Sequence, residues 1–547
     1  MTPKDDLAFI PLGGTGEIGM NLNVYRCDGK LLAVDCGIGF GGPDNPSVEI
    51  MVPDPGWLAE RREDLLGLVI THAHEDHVGG VAHLWRSLQC PIHAGPFVSA
   101  VLRRKLAEAG LSQEAELRPF DLPGRLKLGP FDIEFLRVAH SIPEALAMAI
   151  RTRHGLVVHT GDWKLDPEPL IGPPTDEAGF ARLGEEGVLA MVCDSTNALV
   201  EGHSGSEAEV RHSLQELIRS TRGRIAVTCF ATNLARVETV ALAAKEAGRD
   251  VALFGRSLRN SVAAARECGY LSRVPDFVAE DEAGYIPDDN LLIICTGSQG
   301  EERSALAKIA SDTHPNIALG EGDTVIFSSR QIPGNERAIL RVQDDLARRG
   351  CKVITADDHF VHVSGHPARD ELKRLYELVR PRYAIPVHGE WRHLSEHASL
   401  ARGLGAEALV IEDGDVVRLV PGRAEIAESV PVGRLAVDGS RLLPVSGGVL
   451  GARKRMLMNG VVVASLAVDG QGRVVGKPRI SAPGLFDPDG PESEDLAEAL
   501  ARGLGELPKG LRREDDAVTE AARAMLRKAV GKQLRKRPNV EVHLLRV

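Results

Sequence analysis

The chain opens on short apolar runs broken by turns and later changes rhythm. Residues 21–26 and 31–35 flank Cys27-Asp28-Gly29-Lys30, which predicts two strands joined by a hairpin. Leu66-Gly67-Leu68-Val69-Ile70 reads as a further strand, and others are predicted at 133–138, 156–159 and 188–193. Ser206-Glu207-Ala208-Glu209 is a capping box opening a helix that runs to residue 220. From there strands at 224–230, 251–254, 291–296, 324–328 and 352–356 alternate with helices, one starting at Leu234. That alternation predicts a separate parallel sheet with crossover helices. Tyr383-Ala384-Ile385-Pro386-Val387 is one more strand, ending at His388. Past Pro431 the pattern loosens. A strand at 461–466 and a helix at 515–530 predict a small α+β domain.

Length and charge narrow the classes. A chain of 547 residues has room for roughly three to four domains. The formal net charge of −12 excludes a polyanion binder held by bulk charge, so any nucleic-acid contact must come from local basic patches. The basic run Lys532–Arg537 is one such patch, read as a solvated helix end or a subunit contact in preference to an RNA contact. Eight cysteines are scattered without a C-x-x-C pair, which predicts small buried thiols in a reducing compartment. The N-terminal run lacks a signal pattern, and no stretch approaches a membrane span, so a cytoplasmic protein with no membrane partner is expected.

The chemistry begins at Thr71-His72-Ala73-His74-Glu75-Asp76-His77, directly after a predicted strand. Imidazole nitrogens and a carboxylate at this density suit zinc or a similar divalent ion. Three more ligand types stand at strand ends: His140, Asp162 and His388. We expect His72, His74 and His140 on one ion, Asp76, His77 and His388 on a second, and Asp162 between them. Asp35, also at a strand end, is expected behind the ligands, orienting the His72 loop. Two such ions turn water into hydroxide near neutral pH.

Two motifs are set aside. Gly14-Thr15-Gly16-Glu17-Ile18-Gly19 fits the dinucleotide-binding pattern, but a strand follows it where that fold needs a helix. His393 and His397 share a helix face without a third ligand and are read as surface or packing residues.

The order Asp35, His72-x-His74-x-Asp76-His77, His140, Asp162, His388 resembles the metallo-β-lactamase superfamily. Histidine at 74, where di-iron members carry glutamate, favours a hydrolase over a redox protein. The long segment between Asp162 and His388 resembles the β-CASP insertion of nucleic-acid-processing members, with Asp194, His366 and His388 at its hallmark positions. Histidine at 388, where DNA-processing members usually carry valine, points to RNA. Within that group Gly13–Gly19, Phe230-Ala231-Thr232-Asn233, Thr296–Glu301, Ile332-Pro333-Gly334-Asn335-Glu336 and His388-Gly389-Glu390 are similar to the ribonuclease J family. Glu302-Arg303 departs from that family's usual Pro-Met.

The resemblance implies an α/β fold: a metallo-β-lactamase αβ/βα sandwich interrupted by an inserted β-CASP domain, plus a small α+β C-terminal domain. The expected boundaries are 1–205 and 371–440 for the two parts of the sandwich, 206–370 for the insertion, 441–454 for a linker and 455–547 for the last domain. It implies a two-metal ribonuclease with 5′-to-3′ exonuclease and endonuclease activity on single-stranded RNA in maturation and decay. Zinc is expected, with manganese or magnesium as alternatives. The catalytic set is His366, Asp194 and Asp76. His362, Val363, Ser364, Gly365 and His366 would cradle phosphate, with Asn233 and Ser298 as further substrate contacts. Phe40 reads equally as a base-stacking platform or a packed core ring, and His362 as a contact or a structural residue. A preference for a 5′-monophosphate, a homodimer or homotetramer, and a place in an RNA-decay assembly complete the expectation. The competing readings are a small-molecule metallohydrolase of the same superfamily and a non-catalytic RNA-binding scaffold.

Overall fold

The computed structural model describes residues 6–42, 45, 47–332, 334–420, 422–487 and 490–547. Pro333 of the Ile332–Glu336 run, and the first five residues, lie outside the described residues. The chain divides into two compact units, 1–39 with 51–433, and 40–50 with 434–547.

The first unit contains three large sheets. One has eight strands, ordered Arg423–Ser429, Asp415–Val420, Leu7–Gly13, Leu22–Cys27, Lys30–Val34, Leu65–Ile70, Ile92–Ala94 and Leu117–Pro119. A second has seven, ordered Arg125–Leu128, Phe131–Arg137, Leu146–Thr152, Gly155–His159, Ala190–Asp194, Tyr383–Val387 and Glu407–Ala408. Their inner faces meet in one core, where Phe9, Tyr25 and Val69 pack with Phe131, Met148 and Ile385. Truncating Phe9 or Phe131 to alanine costs about 3–5 kcal/mol. The outer face of the second sheet is covered by helices that contribute Phe180, Leu183, Leu372, Leu375 and Ala401. Strands covered on both faces explain why Leu156–Val158 and Ala190–Cys193 read as unbroken apolar runs.

The third sheet is the insertion. Its strands Asp250–Phe254, Leu291–Cys295, Ile225–Thr228, Thr324–Phe327 and Lys352–Ile354 are all parallel, as the alternation predicted. The helix Glu207–Ser220 begins with the expected capping box at Ser206 and Glu209. The insertion leaves the sandwich after Ala190–Asp194, and the chain is back in the same sheet at Tyr383–Val387. Those two strands are parallel neighbours in register from Ala190↔Tyr383 to Asp194↔Val387. A large domain is thus spliced between adjacent strands, and the strand ends stay side by side.

The second unit has a three-stranded sheet, Val474–Ser481, Val461–Val468 and Asn539–Arg546. Val461–Val468 alternates strictly, burying Val462, Ala464, Leu466 and Val468 against helices Glu492–Gly505 and Asp515–Leu534. Residues 441–454 carry the strand Arg441–Pro444 and the start of the helix Gly448–Asn459, where a plain linker was expected. That helix buries only Leu450, so its sequence shows no helical period.

Candidate metal centre

The strand ends deliver the expected residues to one place. Leu65–Ile70 runs out into Thr71–His77, Gly155–His159 into Asp162, Ala190–Asp194 ends on Asp194, and Tyr383–Val387 on His388. Asp35 and His388 both take left-handed backbone, with φ of 62° and 54°, immediately after their strands. Gly37 has no room for a side chain, because a Cβ there would lie 1.7 Å from the Asp76 carbonyl oxygen.

Two groups of ligand atoms form, His72, His74, His140 with Asp162, and Asp76, His77, His388 with Asp162. His74 Nδ1 lies 3.1 Å from His72 Nε2 and 2.9 Å from His140 Nε2. Asp162 Oδ2 is common to both groups, 3.7 Å from His72 Nε2, 3.8 Å from His140 Nε2, 3.2 Å from His77 Nε2 and 3.3 Å from His388 Nε2. Asp76 Oδ2 stands 3.5 Å from His388 Nε2 and 3.6 Å from His77 Nε2. Ligands about 2.0–2.1 Å from a tetrahedral ion sit about 3.3 Å apart, so these separations fit divalent cations. The buried Nε2 of His388 has no hydrogen-bond partner among the described residues, as an unused ligand atom should.

The opposite ring edges are fixed. His77 Nδ1 is 2.8 Å from Asp35 Oδ2, which leaves Nε2 facing inward. His72 Nδ1 lies 3.0 Å from the Thr71 hydroxyl, which donates to Asp35 in turn. His140 Nδ1 is 2.6 Å from the Gly365 carbonyl, so the insertion side sets this ring's tautomer. A Cβ on Gly365 would lie 2.7 Å from His140 Cε1; the close approach this glycine permits is to His140.

Electrostatics separates the groups. Burial and neighbouring histidines hold His72 and His74 well below the usual imidazole range, and burial takes His140 down to about 4. These rings are neutral at pH 7, with lone pairs available. Burial opposes charge on His77 and His388 as well, but Asp162 and Asp76 outweigh it and raise both. The second group therefore favours a cation between its carboxylates.

Beside the ligands, His366 Nδ1 lies 2.8 Å from Asp194 Oδ2 and 3.8 Å from Asp162 Oδ2. Burial alone would lower its pKa, yet Asp194 and Asp162 lift it to about 9. Asp194 Oδ1 accepts from the Thr196 amide and hydroxyl, both at 2.8 Å. The Ser364 hydroxyl oxygen accepts from Asn197 Nδ2 at 2.8 Å and the His366 amide at 3.2 Å, keeping its own proton to donate. Val363 is buried. His362 Nδ1 is buried without a partner among the described residues, and burial with the charges of Arg236, Lys164 and Arg330 lowers the ring to about 3.

Other expectations meet different surroundings. Asn233 is buried, and its Oδ1 accepts the Arg236 amide at 3.0 Å, capping the helix Leu234–Glu246. Ser298 is also buried. Phe40 belongs to the second unit and is 67% exposed, which removes the packed-core reading. His397 bridges Ser195 Oγ at 2.9 Å and Tyr376 Oη at 3.0 Å, and is a packing residue. Asn21 and Asn197 were not singled out. Asn21 Nδ2 reaches the Asp76 carbonyl at 3.1 Å and His388 Nδ1 at 3.3 Å; Asn197 ties Ser364 to the His366 carbonyl. The only sequence signal was their nearness in the chain to the Gly14–Gly19 motif and to Asp194.

Comparison with known proteins adds an independent line. The chain matches family models described as Beta-lactamase superfamily domain over 32–177, Ribonuclease J, beta-CASP domain over 222–346, Zn-dependent metallo-hydrolase RNA specificity domain over 353–411, and Ribonuclease J C-terminal domain over 448–547. It is 43% identical to a protein named Ribonuclease J in Sinorhizobium meliloti, covering 100% of this chain and 98% of that one. A Ribonuclease J of Mycolicibacterium smegmatis is 40% identical, covering 98% and 96%. A crystal structure of a protein of unknown function from Enterococcus faecalis V583 shares the fold, with a TM-score of 0.52 at 16% identity over 76% of this chain and 100% of that one.

Proposed function

The chain belongs to the ribonuclease J family, and from that premise we propose a metal-dependent ribonuclease that cuts single-stranded RNA, trimming 5′ to 3′ and also cutting internally. RNA maturation and decay are its expected settings. The observation that carries the chemistry is Asp162 Oδ2, shared by both ligand groups with His366 3.8 Å away. Two divalent ions, zinc by ligand type with manganese or magnesium as alternatives, supply an activated water and neutralise phosphoryl charge when bound. His72, His74 and His140 would hold one, Asp76, His77 and His388 the other, and Asp162 both.

The chain's own groups do the rest. Asp35 and Thr71 hold the outer ring nitrogens of His77 and His72, which aims the Nε2 atoms inward. His366 is charged near neutral pH and gives its proton to the leaving 3′ oxygen as the P–O3′ bond breaks, leaving a 5′-phosphate product. Asp194 is a positioning residue that holds the other ring nitrogen. The Ser364 hydroxyl, the Gly365 backbone and His362 contact the phosphate; Phe40, exposed on the second unit, is kept by itself as a base-stacking candidate. The oxygen of Asn233 is committed to its helix cap, so that side chain contributes rigidity there.

The test follows products from one RNA carrying a 5′-monophosphate, 5′-hydroxyl or 5′-triphosphate, with and without chelator, for the native chain and His366→Ala. Mononucleotide release favouring the monophosphate, lost with chelator and strongly reduced in the variant, is expected. RNA binding without metal-dependent turnover would sink the proposal.

The boundaries given above remain our reading except at 441–454, which carries a strand and a helix start of the second unit in place of a linker. Cytoplasmic residence is supported by eight free cysteines, and among the described residues no helix is long and apolar enough to cross a membrane. A homodimer or homotetramer is supported by exposed Leu457, Met458, Leu545 and Val547, and light scattering tests it.

A further inference from the structure

The second unit contains a cavity of about 540 Å³ that no part of the metal chemistry uses. Arg455, Arg527, Lys528, Lys536 and Arg537 line it, and its wall holds no acidic residue. Three segments bring them together. Arg527 and Lys528 lie on the helix Asp515–Leu534, whose end is closed by Arg535 in left-handed backbone at φ 55°. That turn reverses the chain and returns Lys536 and Arg537 beside the helix, where the Arg537 amide donates to Asn459 Oδ1 at 3.3 Å. Arg455 arrives on the separate helix Gly448–Asn459.

All five side chains are exposed, and none has a carboxylate partner among the described residues. Some arginines elsewhere on the same unit are paired, Arg453 with Asp438 at 2.8 Å, Arg546 with Asp515 at 2.6 Å and Arg523 with Glu520 at 2.5 Å; what sets the cavity apart is five cations around one hollow. Balancing the helix C-terminus would account for cations in the last turn, where only Lys532 stands. It does not account for Arg527 and Lys528 further back, nor for Arg455 on another helix. Five unpaired cations held together cost Coulomb repulsion, in a chain of net charge −12, and an anionic ligand removes that cost.

We infer that this cavity is a second nucleic-acid site, gripping the phosphodiester backbone of single-stranded RNA. No aromatic side chain lines it, so it reads charge and not base, and its grip is independent of sequence. The ligand's identity rests on the ribonuclease reading. The inference replaces the expectation that Lys532–Arg537 is a solvated helix end or a subunit contact.

The experiment uses the full chain loaded with metal, in a His366→Ala background so that RNA survives. Binding of 3′-fluorescein polyuridylate is followed by anisotropy across a salt series. One protein keeps the cavity and the other carries Arg527→Gln, Lys528→Gln, Lys536→Gln and Arg537→Gln. Affinity for the long polymer should fall roughly tenfold at low salt, and the slope of log K against log salt should flatten by about 2–3. Short oligonucleotides should bind both proteins alike. Arg455→Gln and Lys536→Glu, made singly, should each give a partial loss in the same direction. An unchanged slope overturns the inference. So does a change of molecular mass by light scattering with the slope unchanged, which would mark a subunit contact. Displacement of polymer by inorganic pyrophosphate as well as by polyuridylate would assign the cavity to a small anion and overturn it too. With His366 restored, absence of metal-dependent cleavage would strike the ribonuclease reading alone.

Discussion

The metal centre and the cationic cavity both crowd like groups together, but on opposite terms. In the centre nearly every ring has its outer nitrogen tied: His77 to Asp35, His72 to Thr71, His140 to Gly365, His366 to Asp194. In the cavity the charged groups are exposed and unpaired. The difference follows from the work proposed for each. Bond breaking needs groups held to fractions of an ångström, so the second layer of hydrogen bonds is part of the machinery. Gripping a sliding polyanion needs charge density, and fixed geometry would hinder it. Damage to the two regions should therefore read out differently.

The largest expected effect comes from Asp162, the carboxylate common to both ligand groups. Asp162→Asn should abolish measurable cleavage and lower bound metal per chain, read by elemental analysis; full metal content with retained activity would break the picture of a shared ligand. Next, His366→Ala should lower kcat by about 10²–10⁴ with metal content unchanged. Asp194→Asn sharpens that result through pH. The acidic partner raises His366 to about 9, so its loss lowers the ring's pKa. A general acid works in its protonated form, so activity in the variant should be lost at a lower pH as pH rises. An unshifted alkaline limb would remove Asp194 as the positioning residue. A smaller effect is expected from Asp35→Asn, which leaves every ligand in place but weakens the hold on His77; metal affinity should drop about 10–100-fold in chelator competition. The cavity substitutions come last, changing salt dependence and leaving cleavage of short substrates alone.

How much of this was legible in the sequence also differs between the two regions. The ligand residues stand out because each follows an apolar strand, and strand ends in layered folds converge on one edge. The parallel sheet of the insertion was legible for the same periodic reason. His366 and Asp194 were visible only through family resemblance, since a single histidine and a single aspartate carry no spacing signal. Asn233 shows the limit of a motif: it opens a helix, and the residue type that suits a substrate contact suits a cap equally. Of the cavity, only the run Lys532–Arg537 was legible, as a basic patch without its partners. Arg455 and Arg527 are far apart in sequence, and the helix bearing Arg455 buries one side chain, so nothing periodic announced it.

The splice between Ala190–Asp194 and Tyr383–Val387 has a consequence for the order in which the molecule is made. Thr196 and His388 touch across 192 positions of chain, through the Thr196 hydroxyl and the His388 carbonyl. Closing so long a loop while it is unfolded costs entropy before any contact repays it. An insertion that condenses first on its own core replaces that loop with a short tether between two ends. During synthesis the first ligand group is finished once Asp162 has emerged, whereas the second waits for His388, after the whole insertion. A growing chain thus carries half a metal centre while the whole stretch between Asp162 and His388 is made, and the second ligand group is completed only after the insertion exists.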